Sequence, residues 1–388
     1  MTDENADAPS VSPEDLHERL ARGERVRLLD VRNREEFEAW RIEGAEATQV
    51  PYAEFAAAKA RGDLGELAAD LDLSGPVVAV CPRGEVSATV AESLREEGVD
   101  ARNLAGGMGG WARVYVASEL AVAPSGATAT VVQYDRPASG CLSYLVVSEG
   151  QAAVVDPLRA FADRYVADAE SRGADLAYAV DTHVHADHFS GVRRLAAETD
   201  AQAVVPEGAR DRGLDFDARL LGDGDDLEVG SVTLTALHAP GHTTELTALV
   251  LGEVLFSGDA LFLDGYGRPD LERGEGGAAA LAETLYDTLG DRLLALPDVT
   301  LVAPGHREPA ATPREDGTFV APLGTVRERI SLPDDRGAFV SRVLDSLPPR
   351  PANYEEIIPA NLGTEEVDDD EAFELELGPN NCAVAADD

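Results

Sequence analysis

The sequence predicts an α/β protein built from two domains, and three observations support this. Strand-like apolar segments alternate with helix-like segments over residues 11–118, and the alternation starts again over residues 129–310. Between them lies "AVAPSGATA" (121–129), a stretch rich in alanine, proline, serine and glycine, so we expect a linker over residues 119–128. With 388 residues the chain exceeds one ordinary domain, and its 44% hydrophobic content is enough for a sizeable core in each.

The first region is predicted to alternate strands and helices. Residues 1–10 are polar and acidic, and we expect them to be disordered. "VRLLDVR" (26–32) and "VVAV" (77–80) are short apolar runs that predict strands. "EEFEAW" and "VSATVAESLREEG" (86–98) have the pattern of helices, and the second ends at a glycine.

The second region is predicted to contain a longer series of strands. They are expected at "ATVVQY", "CLSYLVVS", "AAVVDP", "LAYAVDT", "SVTLTALH" and "ALVLGEVLF", with a helix at "GVRRLAAET". After His306 the pattern is less regular and contains several prolines, so residues 311–388 are expected to be an extension packed on this domain. Its acidic segment "TEEVDDDEAFELELG" (364–378) is expected to be exposed.

The charge pattern limits the partners of the protein. The formal net charge is −41, and 31 of the 32 basic residues are arginine, with Lys59 the single lysine. Acidic residues are spread along the chain, as is typical of a surface solvated in concentrated salt, so we interpret the protein as one from a halophile. Such a surface would repel nucleic acid and anionic membranes.

The N-terminus and the cysteines indicate a soluble, cytoplasmic protein. The first ten residues contain neither the basic nor the apolar part of a secretory signal, and no apolar run approaches the ~18 residues that span a bilayer. Cys81, Cys141 and Cys382 are too few for a disulfide framework, which favours a reducing compartment. The sequence leaves the oligomeric state open, and a homodimer is compatible with it.

Three of the seven histidines of the chain lie within six residues of one another. They are His183, His185 and His188, in "DTHVHADHFSG", with Asp187 among them. The cluster follows a predicted strand directly. Imidazoles this close repel one another once protonated, and a bound metal cation would compensate for that repulsion.

Three later residues have the same position relative to predicted strands. His242 in "PGHT", Asp259 in "SGDALF" and His306 in "PGH" each lie where a strand ends in a loop. Loops at strand ends are where rigid scaffolds carry their sites. Imidazoles and carboxylates together suit zinc, iron or manganese, so the sequence predicts a metal site of that class.

These seven residues resemble the ligands of the metallo-β-lactamase superfamily. The H-x-H-x-D-H motif of that family matches residues 183–188 without a gap, and the three later residues occur in the family's order. The resemblance covers roughly residues 129–306. It implies a metallo-β-lactamase αββα sandwich with the metal site at its strand ends.

Two further segments resemble the persulfide dioxygenase branch of that superfamily. They are "GDALFLDGYGRPDLE" (258–272) and the tail "SLPPRPANYEEIIPANLG" (346–363). This resemblance implies one Fe(II) per chain bound by His183, His242 and Asp259, with coordination positions left open. It also implies that O2 and a low-molecular-weight thiol persulfide are the substrates, and that thiol and sulfite are the products.

A binuclear zinc thioester hydrolase similar to glyoxalase II is the alternative, because all seven residues are present. There the first zinc would be held by His183, His185 and His242 and the second by Asp187, His188 and His306, with Asp259 as a bridge, and a bridging hydroxide would attack the thioester. The predicted ligands outside the iron set, which form the candidate second metal site, are His185, Asp187, His188 and His306.

Tyr266 and Arg268, in "GYGR", are candidate substrate contacts of the dioxygenase. The alternative is a packed turn in which Arg268 pairs with a carboxylate.

Cys81 opens "CPRGEVS", which lies between a predicted buried strand and a predicted helix. Backbone amides at such a helix start favour a thiolate. This loop, together with "LLDVRNREEFE" and "LAGGMGGW", resembles rhodanese-like sulfurtransferases over about residues 11–115. The resemblance implies a rhodanese-like α/β domain in which Cys81 accepts sulfur from a sulfane-sulfur donor such as thiosulfate.

The loop departs from the family pattern C-R-x-G-x-R-[ST]. Pro82 and Val86 stand where that pattern has arginine, and Arg83 is the neighbouring residue expected to supply part of the missing charge. Cys81 and Arg83 are therefore the candidate catalytic residues of this domain, with a degenerate structural domain as the alternative. Cys141 is expected to be a small core residue.

Overall fold

The structure is a computed structural model, and it divides into two units. The described residues are 9–73, 75–120, 129–308, 311–330, 332–379 and 383–385. The first unit comprises Met1–Tyr115 and Arg136–Ser139, and the second comprises Val116–Asp135 and Gly140–Asp388. Most of the expected disordered N-terminus and of the expected linker lies outside the described residues.

The first unit is a parallel sheet with helices. Its strands are β1 (Ser10–Val11), β2 (Arg27–Asp30), β3 (Glu46–Gln49), β4 (Val77–Val80) and β5 (Ala101–Leu104). Its helices are α1 (Pro13–Ala21), α2 (Arg34–Ala39), α3 (Tyr52–Arg61), α4 (Leu64–Asp70), α5 (Glu85–Glu96) and α6 (Gly107–Trp111). The strand order is β1-β5-β4-β2-β3, and all four pairings are parallel.

The local sequence explains why these elements form where they were predicted. All residues of β4 are buried, as the uninterrupted apolar run requires of a central parallel strand. Helix α2 starts at a capping box, in which Asn33 and Glu36 satisfy each other's backbone N–H groups. Between β4 and α5 the chain makes the tight Cys81 loop, so the candidate nucleophile lies at a strand end.

The second unit contains two larger sheets and a short strand pair. Its strands are β6 (Val116–Glu119), β7 (Thr130–Asp135), β8 (Leu142–Ser148), β9 (Gln151–Val155), β10 (Asp175–Val180), β11 (Gln202–Pro206), β12 (Arg219–Leu221), β13 (Asp226–Val229), β14 (Val232–His238), β15 (Thr247–Leu251), β16 (Val254–Gly258), β17 (Gly265–Gly267), β18 (Leu301–Pro304), β19 (Ala321–Pro322) and β20 (Ala383–Ala385). The sheet orders are β12-β11-β10-β9-β8-β7-β6 and β13-β14-β15-β16-β18-β19, and β17 pairs with β20.

Strand β6 shifts the domain boundary relative to the expectation. It pairs antiparallel with β7 over Val116–Glu119. Residues 116–118, expected in the first domain, are therefore part of a sheet of the second unit, because backbone pairing outweighs the compositional break that follows.

The two sheets of the second unit pack face to face around an apolar core. This core joins side chains of β7–β10 to those of β13–β16, as in the contacts of Tyr144 with Phe256 and its neighbours. A second core lies on the other face of the β13–β19 sheet, under helices of the same unit. The layers form the predicted αββα sandwich, so the predicted fold class is confirmed for both units.

Helices cover the outer faces of the sandwich. They are α7 (Ala162–Ser171), α8 (Val192–Glu198), α9 (Gly274–Thr288), α10 (Leu323–Arg329), α11 (Arg336–Asp345), α12 (Tyr354–Leu362) and α13 (Asp369–Leu375), with short 3-10 turns at Arg159–Phe161 and Glu207–Arg210 and a π-helical turn at Leu289–Leu293. In the parts of the chain that the structure describes, no helix combines the length and the apolar character needed to cross a membrane.

The extension after His306 is more ordered than its sequence pattern indicated. It forms helices α10 to α13, and the acidic segment expected to be exposed contains α13. Ala372 and Phe373 of that helix are buried, and Ala372 packs in one apolar cluster with Phe189. Residues 364–366 and 368–371 are exposed, as expected, and the buried residues lie on the face of α13 that packs on the rest of the unit.

Candidate metal centre and thiol loop

The seven predicted ligands all lie at strand ends of the second unit and are buried. The loop that follows β10 carries residues 183–188, and Asp259 directly follows β16. His242 lies four residues beyond the end of β14, and His306 two residues beyond β18. The sandwich therefore brings residues more than a hundred positions apart to one edge, as the sequence predicted.

His183, His242 and Asp259 form one cluster, here called the metal triad. One ligand atom of each residue lies within 4.8 Å of the others. The Nε2 atoms of His183 and His242 are 3.8 and 3.9 Å from Asp259 Oδ2. Among the described residues, neither His183 Nε2 nor Asp259 Oδ2 has a hydrogen-bond partner, although both atoms are buried. Buried polar atoms without partners that converge on one point are what a metal-binding site requires.

Neighbouring groups hold both histidines of the triad in the tautomer that binds metal. His242 Nδ1 donates to the carbonyl oxygen of Arg268 at 2.7 Å. Thr182 Oγ1 gives its proton to Asp156 Oδ2 at 3.0 Å, so it accepts a hydrogen bond from His183 Nδ1, also at 3.0 Å. With both Nδ1 atoms protonated, the lone pairs are on the Nε2 atoms that face Asp259.

Burial keeps these two imidazoles neutral. It lowers the pKa of His242, and burial together with the neighbouring His185 and His242 lowers the pKa of His183 well below its usual range. Two neutral imidazoles and one carboxylate fit a divalent metal and suit Fe(II) or Zn(II). The chemistry of this donor set therefore fits the predicted cofactor class.

A glycine at the end of β16 lets the metal triad form. Gly258 has φ +51°, and a Cβ at this position would collide with the side chain of Thr182. Only glycine gives both the left-handed backbone and the close approach that bring Asp259 beside the His183 loop.

The other predicted ligands make contacts with protein groups. His306 Nδ1 donates to Asp259 Oδ1 at 2.7 Å, and His306 Nε2 donates to Asp187 Oδ2 at 2.8 Å. Although burial opposes the charge, the carboxylates of Asp259 and Asp187 raise the pKa of His306 well above its usual range. This contact orients the Asp259 carboxylate so that Oδ2 faces the two histidines of the triad.

Asp187 is at the centre of a second cluster that includes an unexpected residue. Its Oδ2 also accepts hydrogen bonds from His188 Nδ1 at 3.2 Å and from Cys141 Sγ at 3.3 Å. Cys141 is buried, as expected, but it lies beside the candidate second metal site rather than in the apolar core.

His185 lies beside His183, with ring centroids 4.1 Å apart, and two carboxylates are near one of its ring nitrogens. Its Nε2 lies 3.2 Å from Asp156 Oδ1 and 3.7 Å from Asp181 Oδ1. Burial and the nearby His188 oppose protonation, but hydrogen bonds with Asp156 and Asp181 raise the pKa of His185 to about 9. This pKa favours the protonated imidazole, with Asp156 as its nearest carboxylate.

The two candidate substrate contacts lie in the protein interior. Arg268 donates to both carboxylate oxygens of Asp270 and to the carbonyl oxygens of Pro348 and Pro349. The Tyr266 ring packs at 5.0 Å from the ring of Phe339, and Tyr266 is fully buried. These contacts are those of the alternative, a packed turn with an arginine–carboxylate pair.

The Cys81 thiol lies at the start of α5, as predicted. Its Sγ accepts hydrogen bonds from Gly84 N at 3.1 Å, Ser87 N at 3.3 Å and Ser87 Oγ at 3.1 Å. Three donors around one sulfur suit a thiolate or a bound persulfide anion. Cys81 is buried, whereas the side chain of Arg83 is exposed.

Sequence reasoning missed three residues that support the metal centre. Thr182 and Asp156 fix the His183 loop, and Asn361 of α12 binds the backbone of the same loop. Asp156 ends the strand-like run "AAVVDP", and a carboxylate at a strand end is a signal that could have identified it. Asn361 lies in the proline-rich tail, where no periodic pattern marked it.

Comparison with known proteins matches both parts of the chain to families. The model of the metallo-beta-lactamase superfamily matches residues 136–306, and that of the rhodanese-like domain matches residues 12–114. The persulfide dioxygenase ETHE1, mitochondrial, of Bos taurus is 32% identical over 244 residues, which cover 61% of this chain and 89% of the relative.

A solved structure and a second curated relative are also similar to this chain. The crystal structure of ETHE1 from Myxococcus xanthus is 30% identical and superposes with a TM-score of 0.53, covering 60% of this chain and 98% of the other. A hydroxyacylglutathione hydrolase of Xanthomonas euvesicatoria pv. vesicatoria is 35% identical over 162 residues, which cover 42% of this chain and 58% of that protein. The chain therefore belongs to the metallo-β-lactamase superfamily, in its persulfide dioxygenase branch, and carries a rhodanese-like domain ahead of the metallo-β-lactamase domain.

Proposed function

We propose that the protein is an iron-dependent persulfide dioxygenase. The reaction is R–S–SH + O2 + H2O → R–SH + SO3²⁻ + 2 H⁺. The S–S bond breaks, the sulfane sulfur is oxidised by four electrons to sulfite, and O2 accepts those four electrons. R–SH is a low-molecular-weight thiol.

The convergence of ligand atoms from His183, His242 and Asp259 on one point carries this proposal. Within the described residues, His183 Nε2 and Asp259 Oδ2 are buried without partners, as are His185 Nδ1 and His188 Nε2, whereas both ring nitrogens of His306 donate to carboxylates. Two histidines and one carboxylate are the set that non-haem Fe(II) oxygenases use to keep positions open for substrates.

The protein's own groups prepare the site for this chemistry. Iron bound by the triad would supply the redox step that couples O2 to the sulfane sulfur. Thr182 and the Arg268 carbonyl keep His183 and His242 in the metal-binding tautomer, and His306 orients the Asp259 carboxylate. Burial of all three ligands excludes bulk water from their side of the metal.

A zinc thioester hydrolase is the second candidate function. It is favoured by the hydroxyacylglutathione hydrolase relative and by the presence of all seven metallo-β-lactamase ligands. It requires His306 to exchange a hydrogen bond for a second metal, whereas His188 Nε2 is buried without a partner in the part of the chain that the structure describes.

For the first domain we propose sulfur transfer at Cys81. The Cys81 thiolate attacks the outer sulfur of a sulfane-sulfur donor, the S–S bond of the donor breaks, and Cys81 becomes a persulfide. With thiosulfate the leaving group is sulfite. The amides of Gly84 and Ser87 that surround Sγ support an anionic sulfur at this position.

One experiment distinguishes the two functions of the second domain. Protein purified without chelators is analysed for metals, and O2 uptake is recorded with glutathione persulfide and with cysteine persulfide. The proposal expects about one iron per chain and O2 uptake matched by sulfite formation. Two zinc ions per chain, hydrolysis of a glutathione thioester and no O2 uptake would establish the hydrolase instead.

A further inference from the structure

The metal-binding loop has a second face that is covered by the C-terminal extension. The ligands of the loop alternate with apolar residues, and the apolar ones are Val184, Ala186 and Phe189. Each packs in a cluster with residues of α12: Val184 with Leu362, Ala186 with Ile358, and Phe189 with Ile357 and Ala360. The loop is thus a thin layer between the metal triad and this helix.

Asn361 of α12 binds this loop with its whole side-chain amide. Its Nδ2 donates to the carbonyl oxygens of His185 at 2.9 Å and His188 at 2.8 Å. Its Oδ1 accepts from Ser190 N at 2.9 Å. The orientation of the amide is unambiguous, because a flipped amide would point N–H groups at the Ser190 N–H and the oxygen at two carbonyl oxygens.

The two carbonyl groups and the N–H group that Asn361 binds lie outside regular helices and strands, which would otherwise supply their hydrogen-bond partners. Residues 181–189 form an irregular loop, in which each buried backbone group needs its own partner. A carboxamide is the side chain that offers two donors and an acceptor on one rigid planar group. Alanine at this position would leave all three groups without that partner, and aspartate would keep only the acceptor.

We propose that Asn361 is a positioning residue of the metal centre, through which the C-terminal extension fixes residues 185–190, the part of the loop that directly follows His183. This inference rests on the metal triad of the proposed function but not on which metal or reaction it serves. Outer partners of metal ligands typically contribute 10–100-fold to metal affinity. We expect Asn361 to act within that range, since it orients a ligand-bearing loop without touching the metal.

The test uses the full-length apo-protein with Co(II) as the probe. Affinity is measured by competition with a chelator, and the visible Co(II) spectrum reports the ligand geometry. The variants are Asn361→Ala and Asn361→Asp. The matched control is Asn353→Ala, because Asn353 lies at the start of the same helix and donates to Leu375 O within the extension, away from the metal loop.

Asn353 is a stringent control for general destabilisation. It has φ +54°, so alanine there is strained as well as short of a hydrogen bond. We expect both Asn361 variants to bind Co(II) at least 10-fold more weakly with a changed spectrum, and Asn353→Ala to bind with wild-type affinity and spectrum.

Two results would overturn the inference. One is wild-type Co(II) affinity and spectrum in either Asn361 variant. The other is an equal loss in Asn353→Ala, which would show that the extension acts through stability alone. Failure of the proposed reaction would look different, because O2 uptake would then be absent from the wild type while these Co(II) measurements kept their order.

Discussion

The hydroxyl of Thr182 gives a sharp test of how the metal triad is prepared. Thr182→Val keeps the shape of the side chain but removes the group that accepts from His183 Nδ1 and donates to Asp156 Oδ2. The His183 ring loses the contact that holds its proton on Nδ1, so the metal-binding tautomer is no longer favoured. The Thr182 N–H bond to Asp156 remains, so the loop backbone stays in place.

The size of the effect follows from these two lost hydrogen bonds. A buried polar group left without a partner costs about 1–3 kcal/mol, so the free energy of unfolding of the apo-protein should fall by about that amount. The metal affinity should fall about 10–100-fold, as for other outer partners of metal-binding histidines. That range corresponds to about 1.4–2.8 kcal/mol of binding free energy.

Chelator competition and urea unfolding measure the two quantities, with Thr243→Val as the matched control. Thr243 follows His242, it is buried, and its Oγ1 has no hydrogen-bond partner among the described residues. Its replacement should therefore leave metal affinity and stability close to wild type. Metal affinity of Thr182→Val within twofold of the wild type, or an equal loss in Thr243→Val, would refute the tautomer argument.

Three further predictions concern the triad, the packed turn and the thiol. Alanine at any residue of the metal triad should abolish iron binding and O2 uptake, whereas His306→Ala should retain iron at reduced affinity. Equal iron loss in the triad variants and in His306→Ala would favour the two-metal site. Arg268→Met should lower the free energy of unfolding by about 3 kcal/mol in urea, because it breaks a buried ion pair but leaves Arg350 bound to Asp270. Although burial opposes ionisation, hydrogen bonding to Arg268 lowers the pKa of Asp270. The wild type should therefore lose the stabilisation from this ion pair as pH falls below about 4, and the Arg268→Met variant should lose less. Parallel curves of unfolding free energy for the two proteins from about pH 5 to 3 would argue against this pH dependence. Mass spectrometry should detect no added sulfur on Cys81→Ser after exposure to thiosulfate. The variant should keep its iron and its oxidation of added persulfide. A wild-type thiol that also stays unmodified would indicate a structural first domain.

The sequence by itself predicted the fold class, which is confirmed, and the strand-end positions of the candidate ligands. Strand-like runs followed by polar residues place ligands at strand ends whatever the details of packing, because parallel strands end at one edge of a sheet. The strand-end positions of His183, His242 and Asp259 could therefore be predicted without a structure, whereas their selection as one iron site follows only from the family resemblance. The Cys81 loop was identified for the same reason, since a buried strand and an amphipathic helix flank it.

The tertiary structure decided what the remaining ligand-like residues do. His185 and His306 are predicted ligands, yet carboxylates from other loops contact Nε2 of His185 and both ring nitrogens of His306. Asp156 lies 29 positions from His185 in the sequence, and Asp259 and Asp187 lie 47 and 119 positions from His306. No local pattern encodes which partner an imidazole meets across such separations, because the partner is set by how the two sheets pack.

The same reason explains the extension and its Asn361. Helix α12 contains Pro359 and follows a proline-rich stretch, so its sequence lacks the regular periodicity that marks a helix. The apolar residues of α12 pack against Phe189 of the metal-binding loop. Asn361 lies 173 positions from His188, so only packing brings the helix and the loop together. Local pattern predicted that the candidate ligands lie at strand ends, and long-range packing determined which groups each of them meets, because burial and hydrogen-bond partners are properties of the assembled fold.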